Sequence, residues 1–354
     1  MKTMLIPVAL AASTSLVLAA HIQPKANKEM QAVLDQLTAL GGRPIEQLTP
    51  QEARQQPTPA DAVKALLKLR GRSTAPEPVA KVENKSIASP GGEIPIRIYT
   101  PAGPGPFPVL LYIHGGGWVI ADLDTYDSSP RALANAAKTV VVSTHYRQAP
   151  EHPFPASHED AFTAYKWVRE NAGSFNGDPN RVAVAGESAG GNMAAAISLM
   201  AREQNVPLPL HQVLIYPVAS TDMDTPSFQE NANAKPLNKA MMEWFAKHEF
   251  QNPQNKHDPR IDLVNASLRG LPSTTIITAE IDPLRSEGKV LADKLKVAGV
   301  DVDYKNYDGV THEFFGMGAV LEESRDATKL AAKNLMKAFG RASERLPVRV
   351  KEGK

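Results

Sequence analysis

The sequence predicts an α/β fold in which a mainly parallel sheet is covered by helices on both faces. Two observations lead to this prediction. Short apolar stretches rich in Val and Ile alternate with amphipathic helical stretches between residues 93 and 339, as in chains of strand–helix–strand units. One of these apolar stretches, residues 182–185, turns through Gly186-Glu-Ser-Ala-Gly190 directly into the helix-forming segment 192–201. Such a sharp turn from strand to helix belongs to the same architecture.

A helical region precedes the first predicted strand and covers residues 20–75. Apolar residues recur at intervals of three and four from Met30 to Leu40, and Gly41-Gly42 ends this helix. Thr49 and Thr58 each stand before a proline with an acidic residue three positions later, which is the pattern of a capping box at a helix start. We expect these helices to form a lid or arm on the main domain. A purely structural role remains the alternative.

The sheet domain is predicted over residues 76–354, with an insertion at about 218–262 that is polar and irregular except for one apolar helix. The predicted strands are 93–99, 109–113, 140–144, 182–185, 213–216, 274–279 and 302–307. The predicted helices are 131–138, 159–171, 192–201, 241–250, 285–298 and 322–339.

Residues 1–19 are typical of a secretory signal peptide. One positive charge precedes an apolar run, and Val17 and Ala19 suit cleavage before Ala20. The run is shorter than the ~20 residues of a membrane span, which argues against an N-terminal membrane anchor. We therefore expect export to the periplasm or the medium, without stable membrane insertion.

The composition excludes several classes of function. The chain has 354 residues, a formal net charge of +1 and no cysteine. Without cysteine there are no disulfides, thiolate nucleophiles, iron–sulfur clusters or cysteine-bound zinc. The balanced charge gives no reason to expect a nucleic-acid partner. No histidine pair has the H-E-x-x-H spacing, so we expect neither a metal site nor a cofactor.

Ser188 lies at the centre of the G-x-S-x-G turn, between a predicted strand and a predicted helix. In a nucleophile elbow this turn raises the serine hydroxyl above the sheet, at a helix N-terminus that favours developing negative charge. Only glycine tolerates the close approach of strand and helix there. The simpler alternative is a glycine-rich turn into a buried helix.

A nucleophilic serine needs a histidine base and an acid that orients the histidine. In elbow-containing hydrolases the chain order is serine, acid, histidine. His312 lies beyond the next strong strand, and Asp282 follows the strand that ends at Ala279. Both are therefore predicted at carboxyl ends of strands, the edge where such sheets place their sites. Glu280 is the competing acid.

The run His114-Gly115-Gly116-Gly117 directly follows a buried strand. Attack on an ester generates an oxyanion, which needs preorganised N–H donors. The glycines allow the backbone to bend so that their N–H groups face the ligand. With the N–H of Ala189, immediately after the serine, they are predicted to form the oxyanion hole.

Six segments of the chain, between about residues 80 and 340, match motifs of one known family. They are His114-Gly-Gly-Gly-Trp118, Tyr146-Arg-Gln-Ala-Pro-Glu151 with Pro153-Phe-Pro155, Asp178-Pro-Asn-Arg181, Gly186-Glu-Ser-Ala-Gly190, Asp282-Pro-Leu-Arg-Ser-Glu-Gly288 and His312-Glu-Phe314. Together they resemble the hormone-sensitive-lipase-like carboxylesterases, bacterial esterase family IV of the α/β-hydrolase superfamily. The resemblance implies an eight-stranded α/β-hydrolase sheet and a cap made of the N-terminal helices and the insertion around 220–260.

The same resemblance implies roles for individual residues. Ser188, Asp282 and His312 would form the catalytic triad. The oxyanion donors would be the N–H groups of Gly116, Gly117 and Ala189.

Three positions depart from the usual family pattern. Glu187 stands where Asp or Thr is usual, His145 where an Asp often precedes Tyr-Arg, and Ser286 where Asp is common. We expect these changes to affect substrate preference and local ion pairing rather than the reaction.

The sequence thus predicts an exported serine carboxylesterase that hydrolyses short- to medium-chain acyl esters through an acyl-enzyme. A deacetylase or amidase would use the same residues, and a silent α/β-hydrolase that binds a small ligand is a third alternative. A homodimer is compatible with the sequence, which does not determine the oligomeric state.

An apolar acyl pocket is predicted where the cap meets the sheet edge. The apolar faces 30–37 and 63–67 of the N-terminal helices are expected to cover the rim near Ser188. There they would meet the insertion helix that carries Met241, Met242, Trp244 and Phe245. Residues of this kind at helical spacing also occur in ordinary cores.

Overall fold

The computed structural model describes residues 25–345, and its sheet has eight strands. They are β1 (Lys81–Ser89), β2 (Gly92–Thr100), β3 (Phe107–Ile113), β4 (Val140–Thr144), β5 (Gly177–Glu187), β6 (His211–Ile215), β7 (Ser273–Ile281) and β8 (Val302–Thr311). Their order across the sheet is β1-β2-β4-β3-β5-β6-β7-β8. β2 pairs antiparallel with both β1 and β4, and all pairs among β3 to β8 are parallel. The predicted α/β fold with a mainly parallel eight-stranded sheet is confirmed.

In the sheet domain at least one helix follows each of the strands β3 to β8. The predicted helices are present with boundaries that shift by a few residues, and a short helix at Pro226–Glu230 was not predicted. In chain order, the helices are α1 (Lys28–Ala39), α2 (Pro50–Ala53), α3 (Pro59–Leu69), α4 (Ser128–Ala137), α5 (Ala156–Asn171), α6 (Ala189–Glu203), α7 (Pro226–Glu230), α8 (Lys239–Glu249), α9 (Arg285–Val297) and α10 (Glu322–Arg345). The largest consequence concerns α6, which begins at Ala189 rather than at residue 192. The serine therefore immediately precedes the first helical residue.

Strand β1 was not predicted from the sequence. It is an edge strand paired only with β2, and of its residues only Ile87 is buried. Lys81, Glu83 and Lys85 alternate along it, so the apolar periodicity of a strand is missing. Charged residues on an edge strand discourage pairing with other chains. They also interrupt the apolar pattern by which a strand is predicted from a sequence.

The core has two parts, one on each face of the sheet. One part packs α5, α6, α8 and α9 against residues such as Val109, Val142 and Val184. The other packs α1, α3, α4 and α10 against residues such as Leu110 and Val213. Because successive strand residues face opposite sides, the uniformly apolar central strands supply both parts. Burial on both faces explains why these strands were easy to predict.

The N-terminal helices begin where the capping pattern places them. Thr49 and Glu52 form a reciprocal capping box at α2, and Thr58 and Asp61 form another at α3. Met30 and Val33 of α1 are buried in the same core cluster as Leu66 of α3. The two helices pack against each other, and α1 also contacts β8.

The packing of these helices differs from the expected pocket arrangement. The apolar faces of α1 and α3 are buried on one side of the sheet, whereas Met242, Trp244 and Phe245 of α8 belong to the core on the other side. The connection between α1 and α3 contacts α8 instead, and the indole N–H of Trp244 donates to the carbonyl of Leu48 at 3.0 Å. The hydrophobic periodicity therefore predicted the helices correctly. The contact with α8, however, is made by the segment that connects α1 and α3.

Several predictions concern the chain termini, the membrane and metals. The predicted signal peptide, residues 1–19, lies outside the described residues. Within residues 25–345, no helix is both long and apolar enough to cross a membrane. The same part of the chain contains no cluster of three side chains suited to hold a metal ion.

Candidate active site

Ser188 lies between the last residue of β5 and the first residue of α6, as the elbow prediction requires. Its backbone has φ 58° and ψ −120°, a conformation that non-glycine residues rarely adopt and that costs on the order of 1–3 kcal/mol. Hydrogen bonds hold it there: its N–H donates to the Ile215 carbonyl at 2.9 Å, and its carbonyl accepts from Asn192 N–H at 3.0 Å. These hydrogen bonds to the neighbouring backbone therefore stabilise the unfavourable conformation of Ser188.

The two flanking glycines allow this turn. A Cβ on Gly186 would lie 2.1 Å from the Gly190 carbonyl oxygen, and a Cβ on Gly190 would lie 2.1 Å from the Ile113 carbonyl oxygen. Both contacts are with backbone, which cannot move aside cheaply. This is the close approach that was predicted from the G-x-S-x-G pattern.

Asp282 and His312 each occupy the first position after a strand, β7 and β8 respectively. His312 Nε2 lies 2.9 Å from Ser188 Oγ, and His312 Nδ1 lies 2.7 Å from Asp282 Oδ2. The other carboxylate oxygen of Asp282 accepts from the N–H of Leu284 at 2.9 Å. The structure thus brings together the three side chains that were predicted from chain order.

His312 is buried among carboxylates. Burial by itself lowers the pKa of an imidazole, but the charge and hydrogen bond of Asp282, together with Glu313 and Glu187, raise the pKa of His312 above its usual 6.5. The site therefore stabilises the protonated, imidazolium form of His312.

The competing acid Glu280 has a different position. Its Oε2 accepts from the N–H of Gly309 at 2.7 Å, so it supports the last residues of β8, just before His312. Ser286, one of the departures from the family pattern, accepts from the Ser227 N–H at 3.1 Å and thereby connects α7 to the segment after Asp282. Neither residue contacts the serine hydroxyl.

The glycine loop, residues 114–117, adopts a backbone conformation that is unfavourable for residues with a side chain. Gly116 and Gly117 have φ values of 95° and 57°. A Cβ on Gly116 would lie 2.1 Å from the Ile120 carbonyl oxygen, and one on Gly117 would lie 2.3 Å from the ring of Phe245. Both glycines line the same cavity as Ser188 and His312. The two glycines that are expected to donate to an oxyanion therefore lie beside Ser188.

His114 holds this loop through its first peptide unit. The Gly115 carbonyl accepts from His114 Nδ1 at 2.8 Å and from the Tyr146 hydroxyl at 2.8 Å. Because a carbonyl can only accept, we assign the proton of His114 to Nδ1. Burial lowers the pKa of His114 to about 3, so the ring is neutral and its Nε2 accepts from His145 Nδ1 at 3.0 Å. The peptide plane that carries the Gly116 N–H is thereby fixed.

Glu187, the residue before the nucleophile, is only 1% exposed. Its two oxygens accept hydrogen bonds from the hydroxyls of Tyr112 and Tyr216. Burial, and then the charge of Glu313, raise the pKa of Glu187 to about 7. The ring of Tyr216 lies 4.4 Å from that of His312, centroid to centroid. Sequence reasoning singled out Glu187 but not its tyrosine partners, which lie far away in the chain.

A cavity of about 630 Å³ opens beside Ser188 and His312. One set of lining residues is apolar: Leu37, Ile45, Ile120, Leu237, Met241 and Phe245. Another set is polar: Asp122, Thr125, Tyr126, His145, Gln148 and Glu313. Two of the four predicted pocket residues of α8 line this cavity, whereas Met242 and Trp244 lie in the core. The cavity has the size typical of a small-molecule site.

Comparison with known proteins assigns the family. A family model described as alpha/beta hydrolase fold matches residues 110–316. Carboxylesterase NlhH of Mycobacterium tuberculosis is 39% identical over 291 residues, which is 80% of this chain and 91% of the relative. The chain belongs to the hormone-sensitive-lipase-like family of α/β hydrolases. A second family member, ethyl acetate hydrolase of Pseudomonas putida, is 32% identical and covers 82% of this chain and 91% of its own length.

Solved structures of the family agree with this assignment. The hyperthermophilic esterase from the archaeon Pyrobaculum calidifontis superposes with a TM-score of 0.80 at 36% identity, covering 89% of this chain and 98% of that one. The metagenomic carboxylesterase EstE1 superposes with a TM-score of 0.77 at 36% identity, covering 83% and 98%. The protein is accordingly a carboxylic ester hydrolase that acts on small-molecule esters.

Proposed function

We propose that this ester hydrolase is a serine esterase that works through an acyl-enzyme on Ser188. The observation that carries the proposal is the continuous hydrogen-bonded series from Ser188 Oγ through His312 to Asp282, with separations of 2.9 and 2.7 Å. The base is within hydrogen-bond reach of the nucleophile on one side and of the orienting acid on the other. The series lies beside the loop of Gly116 and Gly117, whose N–H groups would donate hydrogen bonds to the developing oxyanion.

The first half-reaction forms the acyl-enzyme. Ser188 Oγ attacks the ester carbonyl carbon while its proton moves to His312 Nε2, and Asp282 keeps the ring in the required tautomer and orientation. The oxyanion accepts hydrogen bonds from Gly116, Gly117 and Ala189, and each such donor contributes about 3–4 kcal/mol. The intermediate collapses when its bond to the leaving alcohol oxygen breaks and His312 returns the proton to that oxygen.

The second half-reaction regenerates the enzyme. Water attacks the acyl carbon and transfers a proton to His312 Nε2, and the resulting intermediate breaks its bond to Ser188 Oγ, which receives the proton. The products are a carboxylic acid and the free enzyme, and no cofactor takes part in either half.

The acyl-chain preference is proposed from the cavity. A space of about 630 Å³ with an apolar wall at Met241 and Phe245 suits acyl chains of about two to eight carbons better than long lipid tails. A panel of p-nitrophenyl esters from acetate to palmitate, with an N-acetyl substrate beside it, tests this directly. Best activity on palmitate would contradict the proposal, and faster turnover of the amide would favour the deacetylase alternative.

A matched pair of substitutions on α8 tests which residues set the preference. Met241 lines the cavity, whereas its neighbour Met242 is buried in the core. We expect Met241→Ala to shift the optimum toward longer chains and Met242→Ala to leave the optimum unchanged, although it lowers the melting temperature. A shift of equal size in both variants would show that Met241 has no direct role.

We also propose that the protein is exported. The support is the amino-terminal pattern of residues 1–19, with small residues at Val17 and Ala19. The mature protein should begin at or near Ala20, which amino-terminal sequencing or mass spectrometry of the native protein would determine. Finding residues 1–19 intact on cytoplasmic protein would refute export.

A further inference from the structure

Glu313, the residue after the base, takes no direct part in the steps described above, although its charge helps to raise the pKa of His312. Its Oε1 lies 3.9 Å from His312 Nε2, and its side chain, 21% exposed, lines the cavity beside Ser188. The backbone of Glu313 has φ 72°, a conformation unusual for a residue with a side chain. Such a local cost is often tolerated at a functional site.

The Glu313 carboxylate is oriented by one hydrogen-bond donor and can accept further hydrogen bonds. The Tyr126 hydroxyl donates to Glu313 Oε1 at 2.6 Å. Gly115 makes room for this tyrosine, since a Cβ there would lie 2.3 Å from the hydroxyl oxygen. A carboxylate offers about four acceptor positions on its two oxygens, and within residues 25–345 Oε2 accepts none of the hydrogen bonds described. Glu313 is thus an oriented acceptor next to His312.

We propose that Glu313 orients the water that hydrolyses the acyl-enzyme. One water oxygen can lie at ordinary hydrogen-bond distance from both His312 Nε2 and a Glu313 oxygen, because these atoms are only 3.9 Å apart. Water would direct one proton to His312, which removes it, and the other to Glu313, which accepts a hydrogen bond without taking the proton. That second proton stays on the carboxylic acid product, so the reaction balances as before.

The proposal rests on the proposed acyl-enzyme and predicts a preference among nucleophiles. An alcohol such as methanol also attacks acyl-enzymes, giving an ester instead of an acid. It has only one O–H proton, which goes to His312, and a methyl group in place of the second proton. Glu313 should therefore accelerate attack by water but not attack by methanol. A general effect on the basicity of His312 would change both rates alike.

The test measures how the acyl-enzyme divides between the two nucleophiles. p-Nitrophenyl butyrate is turned over at several methanol concentrations, and methyl butyrate and butyric acid are quantified together with p-nitrophenol. Glu313→Leu keeps a side chain of similar length but removes the acceptor. We expect the ratio of methyl ester to acid to rise about three- to tenfold, corresponding to the loss of one hydrogen bond.

Three further variants make the test specific. Glu313→Gln keeps an acceptor oxygen and should give a smaller shift than Glu313→Leu. Tyr126→Phe frees the carboxylate from its donor and should shift the ratio in the same direction, which provides a second test if Glu313→Leu does not fold. Glu46→Leu removes another acid that lines the cavity, without contact to His312 among the described contacts, and should leave the ratio unchanged.

The outcomes separate this inference from the function on which it rests. An unchanged ratio in Glu313→Leu, or an equal rise in Glu46→Leu, overturns the role of Glu313 while the acyl-enzyme stands. Failure of wild-type Ser188 to take up a phosphonate label, together with no methyl ester at any methanol concentration, contradicts the acyl-enzyme itself.

Discussion

At the scale of single residues, the conformation of Ser188 connects fold and chemistry. Its positive φ is maintained by backbone hydrogen bonds to β6 and α6 and not by the hydroxyl. A change from serine to alanine is therefore expected to keep the turn and to remove only the proposed nucleophilic hydroxyl. This makes Ser188→Ala a clean probe, since loss of activity in that variant cannot be ascribed to a changed backbone.

The protonation of His312 predicts the acidic side of the pH profile. In the proposed mechanism His312 must be neutral to accept the serine proton. Its pKa is raised above 6.5 because Asp282, Glu313 and Glu187 outweigh the effect of burial. The value of kcat/KM, which reports the free enzyme, should therefore fall as the pH drops through a pKa higher than that of an ordinary histidine. A profile that stays flat down to pH 5 would argue against a histidine base.

Two substitutions of His145 test whether its hydrogen bond to His114 supports the glycine loop. The Nδ2 of asparagine takes the place of His145 Nδ1 and can still donate to His114, whereas leucine has a similar shape and no donor. We expect His145→Asn to keep kcat near wild type and His145→Leu to lower it about three- to tenfold, as for one lost hydrogen bond. Equal kcat values in two variants of equal melting temperature would show that the bond does not support catalysis.

At the scale of elements, α8 forms a cavity wall and contains an unusual buried acid. Glu249 lies on this helix and is fully buried, and within residues 25–345 its carboxyl group has a single hydrogen bond, from the Ser157 hydroxyl at 3.2 Å. Burial raises its pKa from 4.5 to about 8. Phe245, one turn away, packs against Gly117. The position of α8 therefore directly affects the glycine loop.

The raised pKa of Glu249 predicts how stability depends on pH. Between pH 4.5 and about 8 the folded protein keeps this proton and the unfolded chain loses it. The stabilisation is complete below pH 4.5 and is lost as the pH rises through 8, by at most about 1.4 kcal/mol per pH unit. Glu249→Gln removes this dependence. The melting temperature of the variant relative to wild type should therefore increase from pH 5 to pH 9, and a constant difference would contradict the shift.

Sequence patterns predicted elements well where a single physical signal dominates. Strands buried on both faces, such as β3 and β4, appear as continuous apolar runs, and proline after a threonine marks the starts of α2 and α3. The edge strand β1 could not be found this way, because its charges face solvent. Contacts between distant segments, such as Trp244 with Leu48, depend on how loops cross the sheet, and no local periodicity encodes that.

At the scale of the whole molecule, topology explains why the candidate site could be predicted so closely. Ser188, Asp282 and His312 each follow the last residue of a strand, and β5 to β8 are neighbours in one parallel sheet. Carboxyl ends of parallel strands share one edge, so chain order was enough to bring the three side chains together. The surrounding tyrosines and Glu313 were not predicted, because a buried hydrogen-bond partner has no sequence signature of its own.

Covalent labelling tests the central claim most directly. Wild-type protein and the Ser188→Ala variant are treated with a p-nitrophenyl phosphonate, and intact mass and peptide mapping locate the adduct. We predict one adduct per chain on Ser188 in the wild type and none in the variant, which should remain folded and lose activity by several orders of magnitude. An adduct on another residue, or undiminished labelling of Ser188→Ala, would contradict the assignment of the nucleophile.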